Sequence, residues 1–180
     1  NEIPEQVYTG QVICPELVLK DGQGNILKAE THYTVVYSNN IDAGQASFVV
    51  SGAASGGYTG TLTKNFTIQP CNIGAEDIIY GGLDEDYPYT GKKVVPELVL
   101  SRGGITLQEG KDYSFSCSSN VEIGTGKITV KGLGNYTGKV EKSFKITKRS
   151  MTSDQVKVVF TDGKSSFTYN GKSWKPEVMV

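Results

Sequence analysis

The sequence has few of the residue types that most catalytic sites use. It contains a single histidine, His32, together with three cysteines and one tryptophan in 180 residues. A Ser-His or Cys-His pair would have to be built around His32, and the second copy of an internal repeat has Asp112 in its place. We therefore expect no enzymatic activity, and we expect His32 to be a solvent-facing residue at the start of a strand.

Charge of one sign and long apolar runs are also lacking. The 18 basic and 19 acidic residues give a net charge of −1, so the composition offers no general attraction to nucleic acid. No apolar run approaches the ~20 residues of a membrane-spanning helix. The sequence predicts no nucleic-acid partner, no membrane insertion within these residues and no cofactor.

The cysteines and the acidic residues do not form a recognisable metal motif. Cys14, Cys71 and Cys117 lack metal-ligand spacing, and their odd number argues against a complete disulfide framework. A surface disulfide between Cys14 and Cys71 stays open as an alternative to free thiols, whereas Cys117 is predicted to be a buried, inert thiol. The acidic run at residues 84–86 lacks the spacing of a calcium loop and is interpreted as a solvated linker.

What the chain does have is an internal repeat. The stretch YTGQVICPELVL at residues 8–19 returns as YTGKKVVPELVL at 89–100 and, more loosely, as YNGKSWKPEVMV at 169–180, a period of roughly 80 residues. We predict a first repeat at residues 1–70, a second at 71–148 and the start of a third at 149–180. Because the chain begins and ends within a repeat, we expect it to be part of a longer array.

Apolar residues within each repeat alternate with a period of two, which is typical of half-buried strands. Tyr33, Val35 and Tyr37 alternate in this way. Leu17 and Leu19 share one phase of the opening segment, as we call residues 8–19 and their counterparts 89–100. A proline in that segment indicates an edge strand or a bulge. With turn residues between the short strands and no helical period, the sequence predicts an all-β fold of tandem antiparallel β-sandwich units.

The first repeat lacks a short strand that precedes each later copy of the opening motif, at residues 78–80 and 156–160. We therefore expect the residues after 150 either to remain disordered or to supply the strand missing from the first repeat. That strand could come from a neighbouring chain by strand exchange.

Several motifs together resemble a family of bacterial immunoglobulin-like tandem repeats. They are the Tyr-Thr-Gly opening, the Pro-Glu-Leu segment, Asn-x-x-x-Gly, and a second Tyr-Thr-Gly before Lys-x-Phe-x-Ile, at residues 8–68 and 89–146. The resemblance implies immunoglobulin-like units in a secreted or surface-anchored protein of a Gram-positive bacterium. It implies an extracellular location and a stalk or adhesive role, and it carries over no catalytic residue.

Loops that differ between the two repeats are the candidate binding positions, alongside an exposed sheet edge. The residues chosen are Asp21, Gln23, Asn25, Ala53, Ser55, Arg102, Leu133 and Asn135. The predicted partner is a host protein, with immunoglobulin as a candidate. A passive stalk and an accessory carbohydrate-binding module are the alternatives, and the placement of Trp174 on the core phase weakens the second of these.

Overall fold

The computed structural model describes residues 3–150 together with the short stretches 159–160, 168, 171–172 and 178–179. Regular structure in these residues is β, apart from one 3-10 turn at Ala54–Gly56. The all-β class predicted from the alternating pattern is therefore confirmed.

The first repeat is built around one four-stranded sheet. Its strands are β1 (Gln6–Val7), β2 (Tyr33–Ser38), β3 (Gly44–Gly52) and β4 (Thr61–Gln69), followed by the short β5 (Cys71–Asn72). The order across the sheet is β1-β4-β3-β2. The pairs β2–β3 and β3–β4 are antiparallel, and β1 runs parallel to β4.

The second repeat reproduces this sheet. The strands that follow are β6 (Ile78–Gly81), β7 (Asp86–Pro88), β8 (Val99–Arg102), β9 (Ile105–Thr106), β10 (Tyr113–Ser118), β11 (Gly124–Gly132), β12 (Tyr136–Thr137) and β13 (Lys139–Thr147). The order β7-β13-β11-β10 matches that of the first repeat strand for strand, with the same parallel and antiparallel pairs. The sequence repeat is therefore also a structural repeat.

Each repeat has a hydrophobic cluster made from one face of its strands. In the first repeat the cluster includes Phe48, Val50 and Phe66, which alternate with more exposed neighbours. In the second repeat it includes Ile128 and Val130, both fully buried. Alternation along a strand places every second side chain on the same face, so the period-two pattern selects these cores.

The opening segments differ from the prediction of a continuous strand. Residues 12–19 of the first repeat lie outside any strand, and in the second repeat only Val99–Arg102 forms one. Strand β8 is paired on both sides, by β6 and β9, in a three-stranded sheet. In the described part of the chain, the first repeat has no counterpart of β6, and its pairing is reduced to the single bridge Lys20–Ile26. Without a ladder partner the same sequence pattern stays extended but unpaired.

The structure is that of a single chain, so strand exchange with a neighbouring chain stays a prediction. Here β14 (Val159–Phe160) and β15 (Val178–Met179) pair with each other in a two-stranded sheet of their own. They do not supply the strand that the first repeat lacks. Most of the remaining residues of this predicted third repeat, Trp174 among them, lie outside the described residues.

In both repeats an asparagine binds the opening segment to the turn that follows β2 or β10. Asn120 Nδ2 donates to the Val94 carbonyl at 2.7 Å, and the Val94 amide donates to the Asn120 carbonyl at 2.7 Å. Asn40 makes the same pair of bonds with Ile13, at 2.9 and 2.8 Å. The recurring Asn-x-x-x-Gly motif therefore anchors the part of the opening segment that lies outside any strand in both repeats.

We expect Asn120→Ala to lower the free energy of unfolding by about 1–3 kcal/mol, because the carbonyl of Val94 would lose its partner at a site where Asn120 is buried. Asn40→Ala is the matched variant at a less buried position and should cost less. Hydrogen exchange followed by mass spectrometry would measure both, with β3 reporting on the first repeat and the later strand that contains Ile128 and Val130 on the second. Equal losses would contradict the role of burial.

Candidate functional site

The loop that carries Asp21, Gln23 and Asn25 is exposed and internally hydrogen-bonded. The Asp21 carboxylate accepts bonds from the Gln23 amide, the Asn25 amide and Asn25 Nδ2, each at 2.9 Å. These bonds, with that of the Asn25 side chain foremost, lower the pKa of Asp21. The Gln23 side chain takes part in none of these bonds, and Gln23 is exposed. The loop is therefore a pre-formed surface feature whose free polar group is Gln23.

The second predicted loop is a tight turn. Ser55 is exposed in the 3-10 turn, whereas Ala53 is half-buried and its amide donates to the His32 carbonyl at 2.9 Å. His32 Nδ1 accepts the Lys28 amide at 2.8 Å, and its ring lies edge-on to Tyr58. Asp112 does the same in the second repeat, accepting the Gln108 amide at 2.8 Å. Histidine in the first repeat and aspartate in the second therefore provide the same kind of hydrogen-bond acceptor in equivalent turns.

Arg102 lies between the two repeats. Its Nη1 donates to the Tyr8 carbonyl at 2.6 Å, and its Nε pairs with Asp77 Oδ2 at 2.7 Å. The Arg102 side chain is only 16 % exposed. Burial is the largest single influence and lowers the pKa of Arg102, but the bond with Asp77 and the charge interactions with Cys71, Asp77 and Tyr136 together outweigh it, so the pKa is raised. Arg102 thus joins the second repeat to the opening motif of the first.

Asn135 also contacts the first repeat. Its Nδ2 donates to Asp42 Oδ1 and its Oδ1 accepts the Ala43 amide, both at 2.8 Å. Leu133, two residues earlier, is half-buried, and its amide donates to the Asp112 carbonyl at 2.9 Å. Both polar ends of the Asn135 amide are therefore used within the chain.

Two tyrosines that the sequence interpretation did not single out complete this junction. The rings of Tyr8 and Tyr136 meet edge to face with centroids 5.5 Å apart, and Tyr8 packs against the hydrophobic clusters of both repeats. Tyr8 belongs to the first Tyr-Thr-Gly of one repeat and Tyr136 to the second Tyr-Thr-Gly of the next. The occurrence of this motif twice per repeat was the signal that could have predicted the contact.

We call this set of contacts the inter-repeat junction: Tyr8, Asp42, Ala43, Asp77, Arg102, Asn135 and Tyr136. Of the eight predicted binding residues, it contains Arg102 and Asn135. The structure does not place these two on a free surface.

The structure places Cys14 and Cys71, the two residues of the possible disulfide, in different surroundings. Both are free thiols; Cys14 is exposed in the first repeat, whereas Cys71 is 2 % exposed within the hydrophobic cluster of the second. Burial raises the pKa of the Cys71 thiol and also that of Cys117, which is half-buried. Cys14 therefore lies at the surface of the first repeat, whereas Cys71 lies in the core of the second.

Lys64 and Lys142 share a strand phase with the buried Phe66 and Phe144, yet both lysines are exposed. Lys142 Nζ lies 4.6 Å from the centroid of the Tyr80 ring, a cation–π geometry. Among the described residues, no ring covers Lys64 in this way. The difference follows from the strand β6, which carries Tyr80 and has no counterpart among the described residues of the first repeat.

Metal-ligand clusters and helices that could span a membrane are both absent from the part of the chain that the structure describes. No three side chains of His, Cys, Asp or Glu in that part of the chain come together as metal ligands. Nor does it contain a helix of the length and hydropathy needed to span a membrane.

A scan against models of known protein families finds no match to this chain, and a search of curated proteins finds no similar sequence.

Proposed function

We propose that this chain is a non-catalytic, extracellular module of a bacterial surface protein, in which immunoglobulin-like units act as a spacer. The observation that carries the proposal is the inter-repeat junction. Two polar side chains and an aromatic pair join the repeats through contacts that use residues of both. Such contacts limit the independent motion of neighbouring repeats, and a spacer requires this limit.

The placement of the tyrosines supports repetition of the same junction. Tyr89 opens the second repeat as Tyr8 opens the first, and its amide donates to Thr147 as that of Tyr8 donates to Gln69, at 2.9 and 2.8 Å. Tyr89 is half-buried and keeps part of its surface accessible. An array can then be extended by repeating one short motif.

Binding of a host macromolecule is the second candidate function, with immunoglobulin as a candidate partner. The specific observation that favours it is that Gln23, Asn25 and Ser55 are exposed. The corresponding loops of the second repeat contribute Arg102 and Asn135 to the junction. A partner would therefore bind the first repeat.

A pull-down of serum and mucosal proteins on the immobilised chain tests the two functions against each other. A spacer enriches no protein, whereas a binder enriches one that is lost in a Gln23→Ala/Ser55→Ala variant. Lys111→Ala/Lys131→Ala, at exposed positions outside these loops, is the control variant. Enrichment unchanged in the loop variant would overturn binding through these loops.

We expect Arg102→Ala to weaken the inter-repeat junction and thereby to destabilise residues 6–8 of the first repeat, which lie far from Arg102 in sequence. The variant loses a charge-assisted bond to the Tyr8 carbonyl, an interaction of about 1.5–3 kcal/mol, so the amides of residues 6–8 should exchange about tenfold faster or more. Hydrogen exchange resolved by mass spectrometry measures this.

The control for that variant is Lys139→Ala. Its ion pair with Glu141 has the same 2.7 Å distance as the Arg102–Asp77 pair but lies within one strand, with both side chains more than half exposed. It should leave residues 6–8 unchanged. Unchanged exchange in Arg102→Ala as well would contradict a junction that couples the repeats.

A further inference from the structure

The outer face of the sheet in the second repeat carries lysines that the first repeat lacks. Alternate side chains of β11 and β13 point away from the hydrophobic cluster, because Ile128, Val130 and Phe144 occupy the positions between them and are buried. Four of these outward positions are exposed lysines: Lys127 and Lys131 on β11, and Lys139 and Lys145 on β13. We call these four residues the lysine face.

The same positions in the first repeat hold uncharged residues. Its sheet has the same strand order and the same register, and the counterparts of the four lysines are Ser47, Ser51, Thr61 and Thr67. A small hydroxyl side chain therefore satisfies the fold at each position. The lysines are not required for the sheet to form, since the first repeat forms it without them.

One pair of these lysines is unfavourable for the sheet itself. Lys131 and Lys139 are directly opposite each other on β11 and β13, where the first repeat has Ser51 and Thr61. Like charges directly opposite on neighbouring strands destabilise a sheet. Lys139 Nζ donates to Glu141 Oε1 at 2.7 Å, but both side chains are more than half exposed, so this ion pair offsets little of the repulsion. A like-charged pair that the fold neither needs nor favours indicates that the positive charge serves an interaction with an anion.

The register arranges the four charges along the direction of the strands. Lys139 and Lys145 are six residues apart on β13, which spans roughly 20 Å. Lys127 lies between these two levels on the neighbouring strand, opposite Ser143. A single phosphate or carboxylate cannot contact charges over this length, whereas a linear polymer with an anionic group on successive units can. The arrangement therefore favours a polyanion.

The side chains around the lysines favour a polysaccharide among the polyanions. The other outward positions of β10, β11 and β13 hold hydroxyl side chains and one carboxylate: Ser114, Ser116, Ser118, Thr125, Thr129, Glu141, Ser143 and Thr147. Hydroxyl groups donate and accept hydrogen bonds, as the hydroxyl groups of a sugar chain do. None of these positions has an aromatic ring on which a nucleic-acid base would stack, and none has a large apolar side chain that would enter a lipid surface.

We propose that the lysine face binds a linear anionic polysaccharide, whose carboxylate or sulfate groups pair with the lysines and whose hydroxyl groups bond with the serines and threonines around them. The net charge of the whole chain is −1, so the positive charge that attracts the polymer belongs to this face and not to the protein in general. Exposed lysines are strongly hydrated point charges, so each contact is weak and binding falls steeply with salt.

This function is separate from the spacer role and from protein binding through the loops. It uses neither the inter-repeat junction nor the loops with Gln23 and Ser55. In the pull-down, the Lys111→Ala/Lys131→Ala variant removes one lysine of this face. A component lost from that variant and kept by the loop variant would be a ligand of the lysine face, so the two sets of experiments fail separately.

The test compares dextran sulfate with unmodified dextran, which share a backbone and differ in charge. Surface plasmon resonance of the whole chain on each immobilised polymer should show saturable binding to dextran sulfate and none to dextran. Lys127→Ser/Lys131→Ser, which installs the residues of the first repeat, should bind about tenfold more weakly or less. The slope of log affinity against log salt should become shallower by about 1–2, because two fewer charges are neutralised.

Polygalacturonate, with a carboxylate on each sugar, extends the test to the other anionic group. It should bind the unchanged chain and should bind the Lys127→Ser/Lys131→Ser variant more weakly. Lys28→Ser/Lys64→Ser, at exposed positions of the first repeat, makes the same change in net charge away from the lysine face. This control variant should bind both polymers as the unchanged chain does.

A swapped variant separates the arrangement of the lysines from the net charge. It combines Lys127→Ser/Lys131→Ser with Ser47→Lys/Ser51→Lys, so its composition and net charge equal those of the unchanged chain. We expect it to bind dextran sulfate about as weakly as the Lys127→Ser/Lys131→Ser variant, because neither face then has all four lysines. Circular dichroism verifies that each variant keeps its β structure.

Glu141 provides a change in the opposite direction. The bond from Lys139, followed by the charges of Lys139 and Lys127, lowers the pKa of Glu141, so its carboxylate competes with the polymer for these lysines. Glu141→Thr installs the counterpart Thr63 of the first repeat and should bind about two- to fivefold more tightly. Glu97→Thr, at an exposed position of the opening segment, makes the same change in net charge and should leave the affinity unchanged.

Three results would overturn the proposal. The first is no binding of dextran sulfate by the folded chain at low salt. The second is equal binding by the swapped variant, which would make net charge the cause. The third is tighter binding of a single-stranded oligothymidylate or of phosphatidylserine vesicles than of either polysaccharide, because it would identify a different class of polyanion as the ligand.

Discussion

Gly82→Ala is expected to lower the free energy of unfolding by about 2–5 kcal/mol, although it adds one methyl group at an exposed position. Gly82 has φ +74° at the end of β6, and a Cβ there would meet the carbonyl of Glu97. The left-handed conformation costs an alanine roughly 1–2 kcal/mol. The collision with backbone adds about 1–3 kcal/mol, as overpacking does elsewhere.

Gly110→Ala separates the two costs. Its φ is +82°, close to that of Gly82, but nothing lies within 4 Å of an added Cβ. We therefore expect it to show only the conformational part, about 1–2 kcal/mol. Urea unfolding of the two variants and the unchanged chain measures the difference, and equal losses would show that the strand end yields to the methyl group.

Leu100→Ala is expected to cost about 2–5 kcal/mol, the range for an enclosed leucine. Leu100 is fully buried between the two sheets of the second repeat. Its counterpart Leu19 is only half-buried, so Leu19→Ala removes fewer contacts. We expect it to cost about half as much or less.

The comparison needs a readout for each repeat, because the chain contains two clusters that need not unfold together. Hydrogen exchange followed by mass spectrometry gives it, with β3 reporting on the first repeat and β11 on the second. A larger loss for Leu19→Ala would contradict the expectation that the less buried leucine makes fewer contacts. The result expected for Leu100→Ala also tests β6 as the element that encloses it.

The sequence alone determined the class of fold and much of its interior. Alternation with a period of two predicted strands, and Phe48, Val50 and Phe66 lie in the core as that pattern requires. The internal repeat predicted a duplicated unit, and the two four-stranded sheets have one strand order. These properties follow from local spacing, because side chains of an extended chain alternate between two faces whatever they later pack against.

The candidate site was less accessible to such reasoning. Arg102 and Asn135 were chosen because the loops vary between repeats, and variation is as compatible with a contact between neighbours as with a free surface. Tyr8 and Tyr136 are 128 residues apart, and no local pattern states that two distant motifs meet. Contacts across a junction depend on how two folded units dock.

Tertiary structure alone decided the difference between the two opening segments. They share the letters Pro-Glu-Leu-Val-Leu and the same inward phase, yet Val99–Arg102 becomes a strand and residues 12–19 do not. The reason is a neighbouring strand: β6 lies beside one segment, and no strand of the described residues pairs with the other in the same way. A strand is a property of a pair, since its hydrogen bonds are made to another strand, so sequence determines which residues can form one and the surrounding structure decides whether they do.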